Sequence, residues 1–261
     1  MASKYTSSLQ GARLLVLGGT SGIGYCVAEN ALAHGVRVTI ASSRQERIDG
    51  AIAKLQSSIP EAASQIDGMA CDLSNLGTLK PNLEALLMSA TQSGKLDHIV
   101  FTAGNPISTK PISELSIDAL QGMGNVRFYG PLVLGGLVEK YMVPASTSSI
   151  TLTSGTMSHR PQKGWSAVAA WGSGVEGIAR GLAVDLAPIR VNMISAGAVH
   201  TEMFNDIPKE RMDNVMQTFR DMSLLNQVGT PEQLSEAYLY CMRCTFATGS
   251  ILECDGGRMR K

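Results

Sequence analysis

A chain of 261 residues with 44% hydrophobic and 17% charged residues can bury one large core, and a single domain over 1–261 is expected. Lysine plus arginine equals aspartate plus glutamate at 22 each, which leaves no net field to steer nucleic acid or an anionic membrane surface; a small organic molecule fits better as partner. Met1–Gln10 is polar, no stretch runs about eighteen apolar residues, and five scattered cysteines form no disulfide framework, so the reading is a cytoplasmic protein with no membrane association.

In chain order, strand-like and helix-like runs alternate. Arg13–Leu17 predicts a strand, Ile23–His34 a helix, Val36–Ala41 a strand and Ile48–Ser57 a helix. Strand Ile66–Cys71, helix Leu79–Gln92, strand His98–Thr102, a long helix Met123–Val143 and strand Ser149–Thr153 follow. Gly35, Gly68 and Gly94 read as helix-ending glycines ahead of strands. This rhythm predicts an α/β fold: a doubly wound, Rossmann-type parallel sheet with helices on both faces. Cys241-Met242-Arg243-Cys244 has the spacing of a metal or redox pair, but with no second pair or histidine cluster nearby it reads as packed thiols, with no metal.

The first strand runs into Gly18-Gly19-Thr20-Ser21-Gly22-Ile23-Gly24, which opens a helix. Glycines there permit a tight turn and close approach of backbone to a pyrophosphate, while the helix start supplies unpaired N–H groups and the positive end of its dipole. The spacing Gly18-x-x-x-Gly22-x-Gly24 resembles the signature of the short-chain dehydrogenase/reductase family, and the resemblance covers nearly the whole chain. It implies that Asp72, followed by Leu73, contacts the adenine ring. Thr102-Ala103-Gly104 matches the second half of the family's Asn-Asn-Ala-Gly segment, with Phe101 and Thr102 in place of the asparagines. Asn125 matches the helix asparagine that organises a proton-relay water. Gly197, Val199 and Thr201 match the segment that closes over the nicotinamide, with Ala196 where proline is usual, and Asp255-Gly256-Gly257 matches the C-terminal signature.

The second strand ends at Ala41-Ser42-Ser43-Arg44, without the acid that would accept from a ribose 2′-hydroxyl and repel a 2′-phosphate. Serines and an arginine donate to such a phosphate, which points to NADP(H). Arg44 also has a plainer reading, as a solvated cation at a helix start.

The family's Tyr-x-x-x-Lys pair falls at Val168-Ala169-Ala170-Trp171-Gly172, so neither its proton donor nor its ribose-holding lysine is present. Reducing a ketone builds alkoxide charge, and loss of a positioned acid costs on the order of 10² to 10⁴ in rate. Reducing an iminium builds no negative charge and needs no such acid. Fungal short-chain reductases that reduce a cyclic iminium and then guide a Diels-Alder closure also lack the pair. The chain is similar to them at Thr153-Ser154-Gly155, Arg160-Pro161, Trp165 and Arg127, but carries Asn105 and Gln162 where acidic groups would face a cationic substrate. Ser154 is placed to orient a substrate, Arg127 to orient a carbonyl or hold a structural ion pair, Trp165 to stack on a flat substrate or pack its loop, and His159 to protonate an alkoxide or stand in solvent.

These readings converge on an NADP(H)-dependent reductase of an imine, iminium or activated carbonyl, working on a bulky, largely apolar substrate under a lid at about 198–226. Competing readings are a non-redox pericyclase or isomerase using the cofactor as scaffold, a silent NADP(H)-binding protein, and a ketoreductase with a relocated acid. The helices around Pro131–Val138 and Gly172–Ala183 resemble those that pair subunits in the family, which implies a homodimer or homotetramer.

Overall fold

Alternation of side chains along the first strand decides the architecture. In β1 (Arg13–Leu17) Leu14 and Val16 belong to one buried cluster while Leu15 and Leu17 belong to another, so the strand has apolar layers on both faces and needs helices on each. The computed structural model describes residues 8–105, 107, 109–205 and 207–261; Met1–Ser7 of the expected domain and Asp206 of the expected lid lie outside the described residues.

Seven strands form one parallel sheet: β1, β2 (Arg37–Ser42), β3 (Ile66–Ala70), β4 (His98–Phe101), β5 (Ser149–Gly155), β6 (Arg190–Ala196) and β7 (Ile251–Cys254), in the order β3-β2-β1-β4-β5-β6-β7. Helices α1 (Gly22–Ala33), α2 (Gln45–Ser58) and α8 (Pro231–Arg243) share one buried cluster. Helices α3 (Leu76–Ala90), α5 (Gly130–Gly135) and α6 (Ser166–Asp185) share the other. Helix α4 (Ile117–Gly124) packs against α6, and α7 (Lys209–Asp221) lies between β6 and α8 in the chain. The fold is the expected doubly wound one. Strand order reverses at β1, with β2 on one side and β4 on the other, which opens a crevice at the C-terminal ends of those strands.

Two local expectations need correction. The single helix expected over Met123–Val143 is instead α4, a π-turn at Asn125–Tyr129, α5, and a 3₁₀ turn at Val138–Lys140. Pro131 has no N–H to give the Arg127 carbonyl, and the Gly130 N–H reaches five residues back to Asn125 O, which widens the helix. Gly68 does not end a helix but sits within β3, where a Cβ would meet the side chain of Ile48 in α2. Gly35, at φ +73°, does follow a helix end as expected.

Candidate functional site

Every residue singled out for cofactor contact sits on the C-terminal side of the sheet, because the turns leaving β1 to β6 all open there. Gly18 takes φ +90°, and a Cβ on it would lie 2.6 Å from the Ala103 nitrogen, while a Cβ on Gly24 would strike the Gly18 carbonyl. The Thr102 hydroxyl donates to the carbonyls of Leu17 at 3.0 Å and Gly18 at 3.3 Å, so the residue replacing an asparagine ties the ends of β1 and β4 together. At the start of α1, Ser21 is extended and its side chain caps nothing, and Thr20 and Ser21 lead into a first turn without acidic residues. The N–H groups of Gly22, Ile23 and Gly24 therefore form an anion-binding helix start. Thr201 reaches across to this turn, its Cγ2 lying 3.2 Å from where a Gly22 Cβ would be.

The other residues expected to contact the cofactor are placed as follows. Ser42 is half-buried at the end of β2, and Ser43 and Arg44 are exposed, with Arg44 in extended conformation just before α2. Asp72 is exposed after β3 and accepts from the Ser74 N–H at 2.9 Å, while Leu73 is buried. Gly197 abuts Asp255 so closely that a Cβ would lie 2.7 Å from its Cα, and Val199 forms a bridge with Gly229. Asn125, in the π-turn, donates to Ser74 O at 2.8 Å, and its Oδ1 is buried without a partner among the described residues. An orphaned acceptor there leaves room for a water or ligand donor, and the Cβ-free cradle around Gly18, Gly22 and Gly24 fits a dinucleotide.

The substrate side is built differently. Val168 and Gly172 lie one turn apart on α6. A Cβ on Gly172 would be 3.1 Å from Ser154 Oγ and 3.1 Å from Ser158 Cβ, and Ser154 Oγ donates to the Gly172 carbonyl at 3.2 Å. The absent lysine side chain is thus replaced by two serines packed onto helix backbone. Trp171 donates to Leu120 O at 3.2 Å and its ring centroid lies 4.9 Å from that of Phe128. No Tyr-x-x-x-Lys occurs anywhere in the chain. Tyr238, the first tyrosine after this segment, is fully buried in the α8-side layer with its hydroxyl 2.8 Å from Thr153 Oγ1, where burial pushes its pKa up.

Arg127 is half-buried and donates to the Asn105 carbonyl at 2.8 Å, with its guanidinium filling the space a Gly104 side chain would need. It makes no ion pair among the described residues, and burial lowers its pKa. The Asn105 side chain turns to α4, donating to Gly122 O at 3.1 Å. Arg127, Asn105, Ala103 and Gly104 are therefore brought together at the end of β4. Trp165 stands at the residue before α6, without a side-chain hydrogen bond to the helix start, and is half-buried. His159 faces elsewhere: its Nε2 meets Glu176 Oε1 at 2.5 Å, and Ser158 Oγ also donates to that oxygen at 3.1 Å.

Glu176 is the functional-looking residue that sequence reading missed. It is 4% exposed among the buried positions Val175, Ile178, Ala179 and Leu182, and an acid on an apolar helix face was the signal available. Cys241 is buried and Cys244 half-buried, both free thiols, and no group of three or more metal-binding side chains occurs among the described residues. No helix among them is long and apolar enough to cross a membrane.

Comparison with known proteins is consistent with this geometry. A family model described as "SDR-like rossmann domain" matches residues 5–260. The chain is similar to "Short-chain dehydrogenase/reductase fsr5" of Gibberella fujikuroi, 39% identical over 258 residues, covering 98% of this chain and 97% of that one. It is similar to "Short-chain dehydrogenase/reductase malC" of Malbranchea aurantiaca at 37% over 252 residues, covering 96% of each. Among solved structures, the "MalC Reductase/Diels-Alderase from Malbranchea aurantiaca" superimposes with TM-score 0.94 at 36% identity, covering 98% of this chain and 100% of that one. A short chain dehydrogenase from Burkholderia cenocepacia in complex with NADP superimposes with TM-score 0.82 at 25% identity, covering 96% and 99%.

Proposed function

The chain belongs to the short-chain dehydrogenase/reductase family, and from that premise we propose that it is an NADPH-dependent reductase of an imine, iminium or activated carbonyl that works without a Tyr/Lys pair. The observation that carries this reading is the contrast within one site: a Cβ-free cofactor cradle at Gly18, Gly22 and Gly24 beside an α6 that offers Val168 and Gly172. Bound NADPH supplies a hydride. The start of α1, with Thr20 and Ser21, holds the pyrophosphate; Ser42, Ser43 and Arg44 take the 2′-phosphate; Asp72 receives the adenine amine. Thr201, Val199 and Gly197 cover the nicotinamide end. Ser154 and Arg127 orient the acceptor, Trp165 offers a flat face for a bulky apolar substrate, and the segment around 198–226 closes over it.

A second reading adds a cyclisation after reduction. It is favoured by the likeness at TM-score 0.94 to a protein described as a reductase/Diels-Alderase. Arg127, a cation facing no carboxylate among the described residues, is suited to polarising a carbonyl in that step. NADPH oxidation measured against cyclic imines and ketones tests the proposal. Turnover of imines with a strict need for the reduced cofactor is expected, whereas equal product from NADP⁺ rejects net reduction in favour of the cofactor as scaffold.

We also propose that the protein acts as a homo-oligomer. A groove of about 410 Å³ on α5 and α6 is lined by Phe128, Leu132, Gly174, Gly177, Ile178 and Gly181, and side chains of a second copy fit against such a small-residue face. Replacing Gly177 by glutamate is expected to convert the oligomer to monomer in sedimentation. Five unpaired cysteines suit a reducing compartment, which supports work in the cytoplasm.

A further inference from the structure

The C-terminal turn carries a polar centre for which the reductase reading has no use. Arg258 is 8% exposed. Its guanidinium donates to the Arg160 carbonyl at 2.8 Å and lies against the sulfurs of Met157 and Met222, while its Nε has no partner among the described residues. Arg160 returns the contact, donating to the Arg258 carbonyl at 2.8 Å. The two arginines thus hold each other's backbone carbonyls, and neither forms an ion pair among the described residues. Asp255 is close enough to favour the charge, but its two oxygens are taken by the N–H groups of Gly257 and Met259, each at 2.8 Å. Burial and the neighbouring Arg160 both push the Arg258 pKa down. Sulfur is a weak acceptor, Nε has no partner and no carboxylate lies within ion-pair distance among the described residues, so the guanidinium is incompletely satisfied as it stands.

Arg258 lines a cavity of about 210 Å³ bounded by the end of α7, the start of α8 and the exit of β7. Phe219, Met222, Leu225 and Leu234 give it apolar walls. Ser223, Gln227, Gln233 and Asp255 complete the lining with polar groups, and Asp255 already accepts backbone N–H groups, so Arg258 is the wall's one cation and suits a small organic acid; the volume equals roughly seven waters at about 30 Å³ each. Of the segment expected to close over the nicotinamide, only Ala198 reaches it. We infer that this cavity binds a carboxylate with a small apolar body, the carboxylate replacing the Met222 sulfur as partner of Arg258. The ligand would brace α7, the helix of the expected lid. The inference goes beyond the reductase reading and does not rest on it.

Benzoate, with neutral benzamide and inorganic phosphate as comparison probes, is titrated into the full-length protein by calorimetry. NADPH affinity is measured on the same samples, so failure of the cofactor site registers separately. Saturable benzoate binding is expected, with benzamide and phosphate each weaker by about tenfold or more, because only benzoate offers both a charge and an apolar ring. Arg258→Met should lose benzoate by about tenfold or more. Because Arg258 is also part of the C-terminal turn, Phe219→Trp supplies a second variant: Phe219 is half-buried in the cavity wall, so a larger ring there narrows the cavity and leaves the guanidinium in place. Absence of saturable benzoate binding, equal binding of benzamide, a preference for phosphate, or full benzoate affinity in both variants overturns the inference.

Discussion

The two halves of the sheet's C-terminal edge are built by different rules. On the β1–β4 side, where the cofactor is proposed to bind, backbone crowding dominates: Gly18, Gly19 and Gly24 each have a neighbour within 3 Å of where a Cβ would stand, and the groups offered to a ligand are N–H donors of a helix start. On the β5–β6 side, chemistry rests on side chains, and there Val168 and Gly172 take the two decisive positions without disturbing α6. Such a cradle tolerates almost no exchange, because an added atom at Gly18 or Gly24 meets main chain and one at Gly19 meets the buried Ile40 side chain. A catalytic side chain can be exchanged at little cost to the fold, so the reaction can change while the cofactor stays.

The largest expected effect follows from the rigid half. Gly24→Val places carbon against the Gly18 carbonyl and Thr102 Oγ1, and NADPH affinity should fall more than about 100-fold, near 3 kcal/mol. Val168→Ala, on the tolerant half, should leave that affinity within about twofold. Fluorescence titration of both variants checks the contrast, and similar losses in the two would break it.

A smaller effect separates charge from cradle. Arg44 is exposed at the end of β2, free of backbone crowding, so Arg44→Glu should leave the fold intact and lower the NADPH-over-NADH preference by about 10- to 100-fold, or about 1.4 to 2.8 kcal/mol. An unchanged preference would return Arg44 to its plainer role as a solvated helix-start cation.

The opposite edge of the sheet supplies a control in which polar groups serve stability alone. His98, 3% exposed, bonds Ser149 Oγ at 2.9 Å, and burial followed by repulsion from Arg190 pushes its pKa down to about 3. A base whose pKa is lower in the folded chain binds its proton more readily when unfolded, so stability falls as pH drops below the unfolded value of 6.5 toward 3. Between pH 7 and pH 5 the loss should be about 2 kcal/mol, and His98→Gln should flatten that part of the profile in chemical denaturation. An unchanged slope in the variant would assign the acid sensitivity to other groups.

What could be read from sequence follows the same division. The strand–helix alternation through Thr153 and the glycine turn depend on local spacing, and local spacing is visible; the order of the strands, and β6 and β7 themselves, lay outside that reading, because pairing between distant segments sets them. The break of the central helix was less so: Gly130 and Pro131 stand in the sequence, but the apolar run around them predicted continuity, and the π-turn that places Asn125 and Arg127 arises only when the Gly130 N–H reaches Asn125 O. The pairing of His159 with Glu176 was not legible. The two are 17 positions apart, on a loop and a helix that meet only when α6 packs against β5 and the 3₁₀ turn Thr156–Ser158 that follows it. Arg160 and Arg258, separated by 98 residues, escaped for the same reason.

The smallest expected effect bears most directly on mechanism. If His159 were a relocated proton donor, its removal would cost on the order of 10² to 10⁴ in turnover. Its Nε2 is instead committed to Glu176, whose Oε1 also receives Ser158, so the imidazole anchors the loop after β5, which carries Ser158 and Arg160, to α6. His159→Asn should therefore lower turnover of a cyclic imine by no more than about threefold, under 1 kcal/mol, with little change in its pH dependence between about 6 and 8. Glu176→Gln weakens the same anchor and should act with similar size. A loss of two orders of magnitude in His159→Asn, with turnover of the parent protein falling at high pH, would show that the tolerant half of the site had kept an acid after all and would redirect the substrate assignment from iminium ions to ketones.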